Sequence, residues 1–168
     1  MPMSQLFVHQ HVFSLRGQFD VTDINEKPVY SVTGSFLKVP KYFTIYDHTG
    51  REIAKVVHQP FHFFSTFDVE MNGTVVATIR QRFSFFRSRF DIDSGTVTVQ
   101  GSWTNFQFGV FANGQQVASI HEDVFSFGHA YELDIEDDDY EGLVVALVLA
   151  IDYAKSQAAS GSAASSAN

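Results

Sequence analysis

The chain has 168 residues, 45% of them hydrophobic, a formal net charge of −8 and a pI near 5.2. It is the size of one domain with room for a sizeable core, and it is too acidic overall to cover a nucleic-acid backbone, which takes clustered Lys and Arg. The absence of cysteine excludes a disulfide framework and thiolate chemistry and fits a reducing compartment. The start, Met1-Pro-Met-Ser-Gln-Leu-Phe7, lacks the basic and long apolar regions of a signal peptide, so a cytoplasmic protein is expected.

Aromatic residues recur along the chain. Phe13, Phe36, Phe61, Phe83, Trp103 and Phe125 head strand-like runs, and Phe19, Phe43, Phe67, Phe90, Phe108 and Tyr131 mark a second register. Strands are expected at 6–14, 18–24, 28–38, 42–47, 52–64 and 66–71, then at 75–86, 89–93, 96–104, 107–112, 116–127 and 130–136. The runs are rich in Val, Ile, Thr, Phe and Tyr, as pleated half-buried surfaces prefer. Tight turns are expected at Asn25–Pro28, Asp47–Gly50, Asn72-Gly73, Asp93–Gly95 and Asn113-Gly114, where Gly and Asn accept positive φ. Alternation is plainest at 75–86: Val75, Ala77, Ile79, Phe83 and Phe85 share one face, and Val76, Thr78, Arg80, Arg82 and Ser84 the other.

An antiparallel meander of this length should close on itself to remove its edges. About eight strands is already the size that side chains alone can fill, so a twelve-stranded closed barrel needs a plug. Residues 143–154 supply one. The run Leu143-Val-Val-Ala-Leu-Val-Leu-Ala-Ile151 follows an acidic stretch and precedes Lys155, which suits a helix macrodipole. A helix apolar on all sides must be buried on all sides, and at about 18 Å it is far short of the ~20 residues that cross a bilayer. The fold class expected is mainly β: a closed antiparallel barrel around one buried C-terminal hydrophobic helix. It occupies 1–156 as a single domain, and the Ser/Ala-rich tail 157–168 has nothing to bury and is expected to be disordered.

That layout is similar to the tubby C-terminal fold, and several phrases are more specific. His9-Gln-His-Val-Phe-Ser-Leu15, Phe19-Asp-Val-Thr-Asp23, Val75-Val-Ala-Thr-Ile79, Phe83-Ser-Phe-Phe86 and Tyr131-Glu-Leu-Asp-Ile135, with the run from Leu143 to Tyr153, resemble the LURP-one-related family, a relative of the phospholipid scramblases. The resemblance covers about 5–155 and implies a tubby-like barrel. Two scramblase features, a Pro-rich N-terminal region and an acylated cysteine cluster, are absent here. The scramblase calcium segment corresponds in position, though not in spacing, to Asp134-Ile-Glu-Asp-Asp-Asp-Tyr-Glu-Gly142. The resemblance does not supply an activity, because fold does not transfer function.

Four of the eleven basic residues, Arg80, Arg82, Arg87 and Arg89, fall within ten positions. Arg80 and Arg82 lie on one side of a strand, and a paired strand carrying Arg87 and Arg89 would gather four guanidinium forks suited to phosphate. Tubby domains hold phosphoinositide headgroups with basic side chains, so the resemblance implies anionic lipid as the ligand; the plain alternative is a solvated charged face. The acidic run 134–141 lacks the spacing of a calcium loop and is expected to cap the helix. Asp152 needs a partner if it is buried, and a structural tether is expected. His9 with His11 and His58 with His62 share strand faces, while His121-Glu-Asp-Val-Phe125 has Phe where an H-E-x-x-H motif has its second ligand. No metal site and no cofactor are expected. No G-x-S-x-G, P-loop or G-x-G-x-x-G motif is present. The expectation is a non-enzymatic, cytoplasmic module that touches membranes peripherally. The second hypothesis is a protein-interaction scaffold or homo-oligomer; a carrier of apolar ligands is disfavoured because the helix would fill the lumen.

Overall fold

The computed structural model describes residues 3–9, 18–35, 40–60, 64–84, 87–102, 105–123 and 130–166. Twelve strands follow in chain order. They are β1 (Ser4–His9), β2 (Gln18–Asp23), β3 (Pro28–Ser35), β4 (Tyr42–Asp47), β5 (Glu52–Gln59) and β6 (Thr66–Met71), then β7 (Thr74–Ser84), β8 (Arg87–Asp93), β9 (Thr98–Ser102), β10 (Gln107–Ala112), β11 (Gln115–Asp123) and β12 (Ala130–Ile135). A short 3-10 turn, Asp138–Tyr140, leads into helix α1 (Glu141–Ser166). Each expected strand is present. Parts of those spans, such as 10–14, 36–38, 61–63 and 124–127, lie outside the described residues, as do five of the six aromatic heads; Phe83 is on β7.

Every pairing is antiparallel, and the sheet order is β8-β7-β6-β5-β4-β3-β2-β1-β12-β11-β10-β9. Chain-order neighbours therefore pair everywhere except at β8 and β9, and β1 closes onto β12. The barrel is nearly closed rather than fully closed: β8 and β9 are the sheet's two edges and meet without a ladder between them. The Asn72-Gly73 and Asn113-Gly114 turns have both residues at positive φ, at 51° and 75° and at 51° and 79°. This is the two-residue hairpin whose twist matches that of its strands, and it fixes the register of β6 with β7 and of β10 with β11.

Period-2 alternation sends one face of each strand to the lumen. Leu6 and Val8, Phe43 and Ile45, Phe67 and Val69, Ala77 and Ile79, Phe108 and Val110, and Leu133 and Ile135 are all buried there. The second aromatic register thus lands in the core at Phe43, Phe67, Phe90, Phe108 and Tyr131. Helix α1 runs through this lumen beside β5, β6, β7 and β12, with Leu143 to Ala154 buried on every side. Its start matches expectation, but its end does not. Helical backbone continues past Ala154 to Ser166, because the segment is free of proline and Ala is the strongest helix former. Among the described residues no helix is long and apolar enough to cross a membrane.

Leu147 sits mid-helix at 1% exposure, enclosed by a rigid cylinder that cannot collapse onto a void. Leu147→Ala is expected to cost about 2–5 kcal/mol, measured by urea denaturation with the slope of the transition unchanged.

Candidate functional site

The arginine hairpin is built by β7 and β8. Their register pairs Arg80 with Asp91, Arg82 with Arg89 and Ser84 with Arg87. Residues directly opposite in an antiparallel ladder share a face. Ile79 and Gln81 on β7 and Phe90 on β8 are buried, so positions 80, 82, 87 and 89 share the outer face. Arg80 is exposed, and Arg82 is exposed and ion-paired to Asp91. Asp93, opposite Thr78, lies on the same face and is exposed. Arg80 and Arg82 therefore share their surface with Asp91 and Asp93 and with Asp68, which faces Thr78 from β6, and because β8 is an edge strand positions 87 and 89 lie along the barrel's seam.

The acidic segment is dispersed rather than gathered. Asp134 belongs to β12. Asp137 caps the 3-10 turn, its side chain accepting from the Asp139 amide at 3.0 Å. The Glu136 and Asp137 amides donate to the Val117 carbonyl. Glu141, in the first turn of α1, accepts hydrogen bonds from the Ser4 hydroxyl and the Tyr30 phenol. Burial and the Glu141 carboxylate together raise the Tyr30 phenol above its ordinary value. The segment works as a cap and as a clamp on the helix start.

Asp152 is completely buried. The Tyr131 hydroxyl donates to its Oδ1 at 3.1 Å, and Lys155 Nζ donates to the same hydroxyl at 3.1 Å. Burial and the neighbouring Asp152 charge hold the Tyr131 phenol well above its usual range. Lys155 Nζ also lies 4.4 Å above the Phe106 ring. Phe106 adopts φ of 50°, a conformation that costs a bulky residue about 1–3 kcal/mol. The strain is offset by edge-on contact with Phe108 at 5.0 Å and a tilted contact with Tyr131 at 4.7 Å. Asp152 is a tether between helix and barrel wall.

The sequence of this barrel and its tethered helix matches a known family, whose profile covers residues 4–152. The chain belongs to the LURP-one-related family. It is 23% identical to the uncharacterized protein YxjI of Bacillus subtilis over 150 residues, 88% of this chain and 92% of that protein. An X-ray structure of an Arabidopsis thaliana protein superposes with a TM-score of 0.58 at 16% identity, over 89% of this chain and 91% of that one. At that identity the likeness establishes the tubby-like barrel and nothing about activity.

Of the histidine pairs expected in this LURP-one-related chain, only one member of each lies among the described residues. His11 and His62 lie outside the described residues, and His9 is exposed on β1. His58 is turned into an aromatic nest, 5.0 Å from the Phe67 ring and 6.4 Å from Tyr153, which in turn meets Phe43 and Phe67 edge-on at 5.4 and 5.5 Å. His121 is half-exposed, with Nε2 3.1 Å from Glu132 Oε2. Its partner comes from the next strand rather than from the neighbouring Glu122. Sequence reading missed this contact because it depends on the register of β11 with β12, which no local motif encodes.

Burial, and then the charge of Lys41, lower the His58 imidazole below its ordinary 6.5. The unfolded chain therefore takes up this proton first, so stability is complete above pH 6.5 and falls as pH drops through that value. In His58→Gln the loss between pH 7 and 5 is expected to be smaller than in the unsubstituted chain, read from denaturation midpoints across pH. Equal losses would show that His58 is not the group responsible.

Proposed function

We propose that this chain is a non-enzymatic binding module that docks reversibly on anionic phospholipid headgroups through Arg80, Arg82, Arg87 and Arg89. The observation that carries the reading is the β7–β8 register, which puts all four positions on one outer face. Guanidinium forks suit bidentate contact with phosphate. The whole chain carries a net charge of −8 even with these arginines counted, so an anionic surface repels the other faces and orients the barrel seam-first.

Magnitude sets the character of the contact. Four arginines against Asp68, Asp91 and Asp93 leave one net positive charge on the face. At about 1 kcal/mol for each basic residue near an anionic leaflet, diffuse attraction amounts to about 1 kcal/mol, roughly fivefold in affinity. Such binding is weak and salt-sensitive unless individual phosphates are gripped. A second reading rests on the edge position of β8: charged side chains on an edge strand prevent another chain from adding to the sheet. On that reading the partner, if any, is a protein bound elsewhere.

Co-sedimentation with phosphatidylserine- or phosphoinositide-containing vesicles separates the two. Binding is expected at low salt, is lost at high salt, and is absent from neutral vesicles. Replacing all four arginines with Glu should abolish it while changing stability by less than about 1 kcal/mol. Undiminished vesicle binding by that variant would remove these residues from the site. Self-association gained on Arg→Thr but not on Arg→Glu replacement at all four positions, with no lipid binding by the parent chain, would favour edge protection.

A further inference from the structure

A second cluster lies on the outer face of β1, β12 and β11. Tyr131, Leu133 and Ile135 fill the lumen, so Glu132 and Asp134 stand side by side on the outside. Two adjacent carboxylates repel unless a cation or donor lies between them. On β11, His121 is paired opposite Glu132. Its Nε2 is 3.1 Å from Glu132 Oε2, and its Nδ1 is 4.0 Å from Asp134 Oδ2. On β1, Gln5 is paired opposite Asp134. Its amide donates to Asp134 Oδ1 at 3.0 Å and also to Glu132 Oε1.

We propose that His121, Glu132 and Asp134 form a binding site for a divalent transition-metal ion, oriented by Gln5. One donor atom from each of the three lies within 4.8 Å of the others, so a single ion can bridge them with little rearrangement. Two carboxylates neutralise a dication, and an imidazole nitrogen with two oxygens suits zinc, manganese or iron. Calcium takes six to eight oxygens and is poorly served by this set. All three side chains are partly buried, at 37%, 17% and 21% exposure, which limits competing hydration. Gln5 hydrogen-bonds both carboxylates from the neighbouring strand, as outer partners of metal ligands do.

The site is also open on one side. His121 ends a groove of about 650 Å³ over β9, β10 and β11, lined among others by Gln100, Gln107, Gly109 and Ser119. Gly109 is paired with both Ser119 and Gln100, and the Phe111 ring lies where its side chain would be, so that ring forms the groove floor there. Three protein ligands with free space alongside leave coordination positions for water or a small ligand, the pattern of reactive rather than purely structural metal sites. The competing arrangement is His121 in contact with Glu132 and Asp134 alone, with no ion.

Equilibrium dialysis of the full chain against Zn²⁺, Mn²⁺ and Ca²⁺, with absorption spectra of the Co²⁺-loaded protein, distinguishes them. One Zn²⁺ equivalent is expected, with Ca²⁺ binding much weaker. His121→Ala and Glu132→Gln/Asp134→Asn should lose that equivalent, together with the Co²⁺ band and the metal-induced rise in melting temperature. Gln5→Leu should weaken binding about 10- to 100-fold, and His9→Ala should leave it unchanged. Metal-free melting curves establish that each variant is folded. No saturable binding at millimolar metal, or binding and spectra unaltered in His121→Ala, would overturn the assignment.

Discussion

Everything in this structure depends on filling the lumen. A twelve-stranded sheet curls into a cylinder wider than its own side chains can occupy, and a void of that size would forfeit the dispersion contacts that hold a core together. Helix α1 answers both needs at once. Its apolar surface from Leu143 to Ala154 has no acceptable environment other than a protein interior, and among the described residues no other segment occupies the lumen. Polar contacts set its depth. Glu141 is held by Ser4 and Tyr30 at one end, and Asp152 by Tyr131 toward the other. Tyr153 wedges among Phe43, Phe67 and His58. An uncompensated carboxylate at Asp152 would cost several kcal/mol, so the tether also specifies how the helix must sit.

Much of this was legible in the sequence because the signals were local. Asn-Gly pairs at 72–73 and 113–114 announce turns that the backbone adopts with both residues at positive φ. Alternation along 75–86 separates Ala77 and Ile79, which are buried, from Arg80 and Arg82, which are exposed. The acidic run before Leu143 marked the helix start. What stayed hidden was non-local. The two open edges at β8 and β9 follow from the curvature of the whole sheet. The ion pair of Arg82 with Asp91, the meeting of His121 with Glu132 and the Gln5 clamp all depend on cross-strand register between distant segments. The end of α1 was missed for a different reason: a Ser/Ala segment with no core to join gives composition no means of placing a boundary.

With the lumen occupied, recognition falls to the outer face. The LURP-one-related chain carries two outer features of opposite chemistry: a cationic hairpin at the seam, proposed as the lipid contact, and an anionic cluster with one imidazole beside an amide-lined groove. They occupy different strands, and the two proposals give them different ligands, phosphate for one and a dication for the other. A rigid filled cylinder is a suitable support for both, since groups on strands are held more firmly than groups on loops.

Native-state hydrogen exchange across α1 and the sheet addresses the central claim, that helix and barrel are one cooperative unit. Amides of 145–153 should exchange only through global unfolding, with the same opening free energy as the central strands β4, β5 and β6. A helix that opens and exchanges well before those strands would show that the barrel stands without its plug, and would contradict the account.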